Sequence, residues 1–352
     1  MAALARALDG NTALQKLTMD RLATPAGDMP GVVALGRAAG LKKLAFSMTD
    51  MRAPGCGASL AVLLRASPTL EDLQLQNCHL GRENVKAMAE GVAVSGTCAR
   101  LNLQSNDIDD DAVTALAAAL KKSRSMKQLI LEDNSDIKDA GGVALAAALA
   151  DPACSLEELQ LLMTSIGEDG GVALGKALAS NTALKELILD SWASDCGSKA
   201  MCAAFGESLR ASGTLQKLRL KGYMMNAEAF KALAPGVAAN KSLLELDLGR
   251  NPIDDAGAAA VADVLRANRT LESISFEDAR FTPAGGALLL SALCDNPTLR
   301  MVNLRWAVNP LNWREGSEQR KAFEEAHAKA LALPGRTSKL VIRVGNEIIG
   351  DT

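Results

Sequence analysis

Few residues in this chain have the type and spacing that catalysis needs, and they form no complete set. Asp109-Asp110-Asp111 puts three carboxylates in a row. Such a run can hold a hard cation through oxygen, and it can equally cap the free N–H groups at the start of a helix. Gly141-Gly142 and Gly170-Gly171 supply glycine pairs of the sort a phosphate loop uses, but no GxxxxGK[ST] surrounds them. The two histidines, His79 and His327, stand far apart, and neither HExxH nor GxSxG occurs. Seven cysteines are present (Cys56, Cys78, Cys98, Cys154, Cys196, Cys202 and Cys294), an odd number with no CxxC. They read as reduced thiols of a cytoplasmic or nuclear protein, neither a disulfide framework nor a zinc site. The expectation is a protein without catalytic residues, metal or cofactor.

Recognition is the other chemistry these side chains could perform. Lys217, Arg219 and Lys221 alternate with leucines, so on a strand they would share one face. Glu186, Glu245, Asp190 and Asp247 lie about one repeat away at matching positions. Two readings stay open: the charges pair across a sheet, or they contact a partner. Ile130, Leu162, Met163 and Ile188 place apolar groups where a solvated face would be polar, as interface patches do. Asp247, Glu277 and Trp306 complete the candidate partner-binding set. Trp306 could be a contact or could be buried under the C-terminal segment.

These residues are positioned by a repeating unit. LxxLxL-like segments begin at Leu14, Leu41, Leu70, Cys98, Met126, Leu156, Leu184, Leu215, Leu243, Leu271 and Leu299, at intervals of 27 to 31 residues. A fixed period of this length marks a solenoid whose units contact only their neighbours. In the repeat that starts at Leu243, Leu246-Asp247-Leu248 alternates as a short strand, Asn251 turns and Ile253 points inward. Asp254 and Asp255 are expected to cap the helix that follows, and Ala258, Val261, Val264 and Leu265 give its buried stripe. Asn268 ends the helix, as do Asn11, Asn181, Asn240 and Asn296 in their repeats, a position where asparagine tolerates left-handed backbone. Strands about 4.8 Å apart and helices about 8–10 Å apart cannot stack straight, so the sheet should line the concave side of an arc.

The pattern LxLxxNxIxDxGaxxLaxxL resembles the ribonuclease-inhibitor-like subfamily of leucine-rich repeat proteins. The best matches are 101–120, 129–149 and 246–265, and the resemblance covers about residues 4–304. It implies an α/β leucine-rich repeat solenoid, a curved horseshoe with a parallel β-sheet inside and α-helices outside. It also implies an inward-turned asparagine bonding neighbouring repeats. Asn106, Asn134 and Asn251 match that slot. Thr49, Cys78 and Thr164 are substitutes, and Leu22, Trp192, Tyr223, Ala279 and Ala307 depart from it. The subfamily works by binding macromolecules, so a monomeric interaction scaffold with a protein partner is expected. A Ran-type activator acting on a small GTPase and the sensor region of an NLR-like receptor are alternatives.

Residues 305–352 lose the pattern and read as a C-terminal cap: a helix over 315–333, a strand at 340–344, a turn at Gly345-Asn346 and a final strand at 347–349. The N-terminus has no secretory pattern, and no apolar run is long enough to span a bilayer. Met1 opens directly on helix-forming ALARAL, as a fragment of a longer chain or a modest cap would. A net charge of −3, from 38 basic and 41 acidic residues, argues against nucleic acid or an anionic membrane as partner.

Overall fold

The computed structural model describes residues 2–8, 11–22, 29–35, 38–191, 199–304, 341–344 and 347–349, with Lys321, Glu325 and Ala328 as single positions. The chain forms two compact units, 1–174 and 175–352. In the first, strands β1 (Lys16–Asp20), β2 (Lys43–Ser47), β3 (Asp72–Gln76), β4 (Arg100–Asn102), β5 (Gln128–Ile130) and β6 (Glu158–Thr164) alternate with helices. These are α1 (Ala2–Ala7), α2 (Met29–Leu35), α3 (Cys56–Ala66), α4 (Gly81–Val94), α5 (Asp110–Leu120) and α6 (Asp139–Leu149). Helix α7 (Glu168–Ala177) contains the division. β1 to β6 pair in parallel and in chain order, with the repeat leucines in register: Leu44 opposite Leu73, Leu73 opposite Leu101, Leu101 opposite Leu129.

The second unit follows the same scheme. Its strands are β7 (Glu186–Ser191), β8 (Lys217–Lys221), β9 (Glu245–Asp247), β10 (Ser273–Ser275) and β11 (Met301–Leu304). Its helices are α8 (Lys199–Ala211), α9 (Ala227–Ala239), α10 (Asp255–Ala267) and α11 (Pro283–Cys294). β12 (Val341–Val344) adds in parallel to β11, and β13 (Glu347–Ile349) turns back antiparallel on β12 with Val344 opposite Glu347. The outer edge of β11 is therefore paired. The expected turn at Gly345-Asn346 and most of the expected helix over 315–333 lie outside the described residues. Lys321, Glu325 and Ala328 are helical and exposed.

Both units are α/β leucine-rich repeat solenoid. The alternation places inward strand residues such as Leu218, Leu220 and Leu246, with Leu248 just after β9, in the core at 2% exposure or less. From the helix side come Ala258, Val261, Val264 and Leu265, all buried.

Capping departs from expectation in an informative way. Asp254 accepts from Ala256 and Gly257 N–H of its own helix. Asp255 instead accepts from Thr282 N–H at 2.8 Å, at the start of the next repeat's helix. Asp110 likewise takes Lys138 and Gly141 N–H, and Asp139 takes Gly167 and Gly170 N–H at 2.8 Å. The aspartate at this position, preceded by Asp109 or Asp254 in two repeats and by Lys138 in the third, thus ties one repeat to the next. The repeat glycine makes room for it: a Cβ on Gly170 would stand 2.9 Å from Asp139 Oδ1 and 2.8 Å from Ile166 Cγ2. Gly170→Ala should cost about 1.5 kcal/mol in urea denaturation; an unchanged midpoint would refute the crowding.

The helix-end asparagines are also corrected. Asn240 and Asn268 are extended, with φ −67° and −75°, and not left-handed. Each bridges repeats: Asn268 Nδ2 donates to the carbonyls of Val237 and Asn240, while its Oδ1 accepts from Thr270 and Leu271 N–H. The left-handed position falls one residue before the inward asparagine slot. It is occupied by Arg21, Met48, Asn77, Ser105, Asp133, Met163, Gly222, Arg250 and Asp278. Sequence reading missed this regularity, because only Asn77, Asp133, Gly222 and Asp278 are of the types that tolerate positive φ, while the other five are Arg, Met or Ser.

Candidate functional site

The acidic run of the sequence resolves into structural roles. Asp109 caps Ala112 N–H, Asp110 caps the next helix, and Arg82 of the preceding repeat pairs with Asp109 and with Asp111 at 2.9 Å. Among the described residues no group of three or more His, Cys, Asp or Glu could hold a metal ion.

The expected apolar patch is not a patch. Ile130 and Ile188 are buried, at 4% and 6% exposure. Strands 4.8 Å apart bring long side chains from both neighbours against each central position. Ile188 stands in register with Arg219, between Glu186 and Asp190 on its own strand, both of which are ion-paired to β8. Leu162 is half-buried. Met163 alone of the four is exposed, and it occupies a left-handed turn position with φ 54°. Ile130 and Ile188 therefore offer no exposed apolar contact, contrary to the expectation from alternation. Trp306 and Trp192 lie outside the described residues. Tyr223 is buried at 1% exposure, as a space-filling role requires.

The basic stripe falls on β8 in the second unit and is knitted into carboxylates on both sides. Lys217 Nζ is 3.0 Å from Glu186 and 4.0 Å from Glu245. Arg219 donates through Nε and Nη2 to both oxygens of Asp190, at 2.8 and 2.5 Å, and its Nε stands 3.7 Å from Asp247. Lys221, itself buried, donates to Glu277 at 2.7 Å, reaching past β9. A Cβ at Gly249 would meet Asp247 Oδ1 at 3.1 Å and the Glu277 carbonyl at 3.3 Å. The expected partner of Lys221, Asp190, is instead held by Arg219.

Asp190 is buried, and burial raises its carboxyl above the ordinary aspartate range against the opposing pull of Arg219. Cross-strand pairing is thus what these charges do within the fold. A shallow groove of about 190 Å³ remains over β8 to β11, lined by Lys217, Arg219, Glu245, Asp247, Ser273, Ser275, Met301 and Asn303.

Among the described residues the cysteines join no metal-holding group, and Cys196 lies outside them. Burial pushes Cys98 and Cys202 up to about 12 and Cys78 to about 11. Thiolates are the reactive form, so at pH 8 a maleimide should label half-buried Cys294 well before these three, with full labelling only in denaturant. Mass spectrometry of the labelled peptides checks this; equal labelling of Cys98 in the native state would contradict it. The same shifts fix the alkaline limb. The unfolded chain releases these protons near 9 and the native one later, so stability falls as pH climbs above about 9.

The in-register leucines, the inward asparagines and the paired aspartates define a leucine-rich repeat protein, and a leucine-rich repeat family model matches 100–117, 122–146 and 239–262. The repeats are of the ribonuclease-inhibitor-like kind. The chain is 32% identical over 302 residues to the ribonuclease inhibitor of Sus scrofa, covering 84% of this chain and 59% of that one. The Mus musculus ribonuclease inhibitor is 28% identical over 76% of this chain and 52% of its own. The Mus musculus NACHT, LRR and PYD domains-containing protein 14 is 30% identical over 74% of this chain. The chain spans only 23% of that protein's length. Among solved structures, the Rad7 and Elc1 complex in yeast is matched at TM-score 0.43 and 16% identity, covering 90% of this chain and 86% of that one, a likeness too distant to argue from. No described helix is long and apolar enough to cross a membrane.

Proposed function

We propose that this chain is a non-catalytic, monomeric interaction scaffold of the cytoplasm or nucleus. It holds a protein partner on the solvent-facing side of the β7–β11 sheet, and residues 305–352 cap that unit. The observation that carries the reading is the charge lattice on that face: Lys217, Arg219, Lys221, Asp190 and Glu277 are fixed by pairs of 3.0 Å or less, so the face is a preorganised polar surface. Asp247 and the groove beside it extend this surface.

A blocking side chain tests it. Ser275→Arg fills the groove, and Ala259→Arg places the same charge on exposed α10. With both variants folded by circular dichroism, a partner recovered by affinity purification with the parent protein should be lost from Ser275→Arg and kept by Ala259→Arg. The reverse pattern overturns the proposal. Ile188→Asp is unsuitable as a probe, because the side chain is buried and its loss would act on folding.

The match to part of a NACHT, LRR and PYD domains-containing protein favours a second reading, in which the chain is the repeat region of a larger receptor-like protein. Sequencing the native transcript decides it: an open reading frame that contains a NACHT segment supports the reading, and one limited to these 352 residues ends it.

A further inference from the structure

The groove over β8 to β11 has an uneven distribution of charge. Both of its cations are engaged on the far side, toward β7: Lys217 with Glu186 at 3.0 Å, and Arg219 with both oxygens of Asp190. The carboxylates of β9 are left at longer range, Glu245 at 4.0 Å from Lys217 and Asp247 at 3.7 Å from Arg219. Glu245 is also the most exposed of these side chains, at 56%. Past β9 the described lining of the groove is uncharged. Ser275 and Asn303 offer a hydroxyl and an amide, 3.3 Å apart, and Met301 lines the same wall.

We infer that this groove is a subsite for an arginine side chain of the partner protein. This rests on the reading of the sheet face as the binding surface, and it names the chemistry that the surface takes. Glu245 and Asp247 are two residues apart on one strand, hence on one face about 6.6 Å apart. That spacing suits a planar guanidinium, whose donors fork toward two acceptors; a lysine ammonium presents a single point. The Met301 thioether meets the apolar stem, as soft side chains do along such methylenes. Asp247 is preorganised, because its Oδ1 already accepts from Gly249 N–H at 2.9 Å while Oδ2 stands 3.7 Å from Arg219 Nε, beyond hydrogen-bond length.

The probe is a fluorescein-labelled hexa-arginine peptide, titrated by fluorescence anisotropy into the full chain at 50 mM and 150 mM salt. Glu245→Gln/Asp247→Asn removes two charges from the groove and keeps the acceptor for Gly249. Glu207→Gln/Asp263→Asn removes two from exposed helix positions of the same unit and serves as the control. Saturable binding that weakens at least tenfold in the groove variant and less than twofold in the control supports the subsite. Equal weakening of both variants, no saturable binding by the parent, or tighter binding of hexa-lysine overturns it. These outcomes are separate from the fate of the scaffold reading: loss of the natural partner from Ser275→Arg with no hexa-arginine binding would leave that reading standing and remove this one.

Discussion

Asn134→Ala should lower the unfolding free energy by about 4 kcal/mol, the largest effect expected of any single truncation at the repeat turns. Its Nδ2 donates to the carbonyls of Leu103, Leu131 and Glu132, at 3.1, 3.0 and 3.0 Å. Its Oδ1 accepts from Asn106 and Ile108 N–H of the preceding repeat, at 2.9 and 3.1 Å. All of this is buried, at 2% exposure for Asn134. Alanine would strand two N–H groups and the carbonyls together, each at about 1–3 kcal/mol before relaxation. The lattice of such bonds continues to Asn106, whose Oδ1 takes Cys78 and Leu80 N–H. The damage should therefore spread along the first unit. Urea denaturation followed by circular dichroism measures it, and a loss below about 1 kcal/mol would show that the slot is not a structural bridge.

Arg219→Ala comes next, at about 3 kcal/mol at pH 7.5, because it leaves the Asp190 carboxylate buried without its bidentate partner. Its signature is the pH dependence. Burial already raises the Asp190 carboxyl, and removing the guanidinium raises it further. A raised carboxyl destabilises the fold while ionised, above its pKa, and relieves it when protonated below. The deficit of the variant relative to the parent should shrink between pH 7.5 and pH 5. Paired denaturant titrations at the two values check this; a deficit that stayed constant, or grew on acidification, would mean that Arg219 acts through packing alone.

The sequence shows much of the architecture and rather less of the surface. Leucines recurring in phase identify which face of each strand is buried, and Leu103, Leu131 and Leu248 are fully enclosed. The inward asparagine slot came with the resemblance to ribonuclease-inhibitor-like repeats, and Asn106, Asn134 and Asn251 fill it as that resemblance implies. Two features were not readable, for a shared reason: both depend on what stands one repeat away. Asp255 looks like a cap for its own helix, and only the stacking distance reveals that it reaches the next one. Ile130 and Ile188 look exposed by alternation, and only lateral crowding from adjacent strands covers them. The charge pairing of Lys217 and Arg219 lay between these cases. Matching positions a repeat apart suggested it, while Lys221 passes over β9 to Glu277, a pairing that comparison of adjacent repeats does not reveal.

Hydroxyl-radical footprinting of the complex with its captured partner tests the binding face most directly. Partner binding should sharply reduce oxidation of Met301, which lines the groove of the β-sheet, and leave Leu288, exposed on α11, unchanged. Protection of Leu288 with Met301 as reactive as in the free protein would put the partner on the helices and contradict the account.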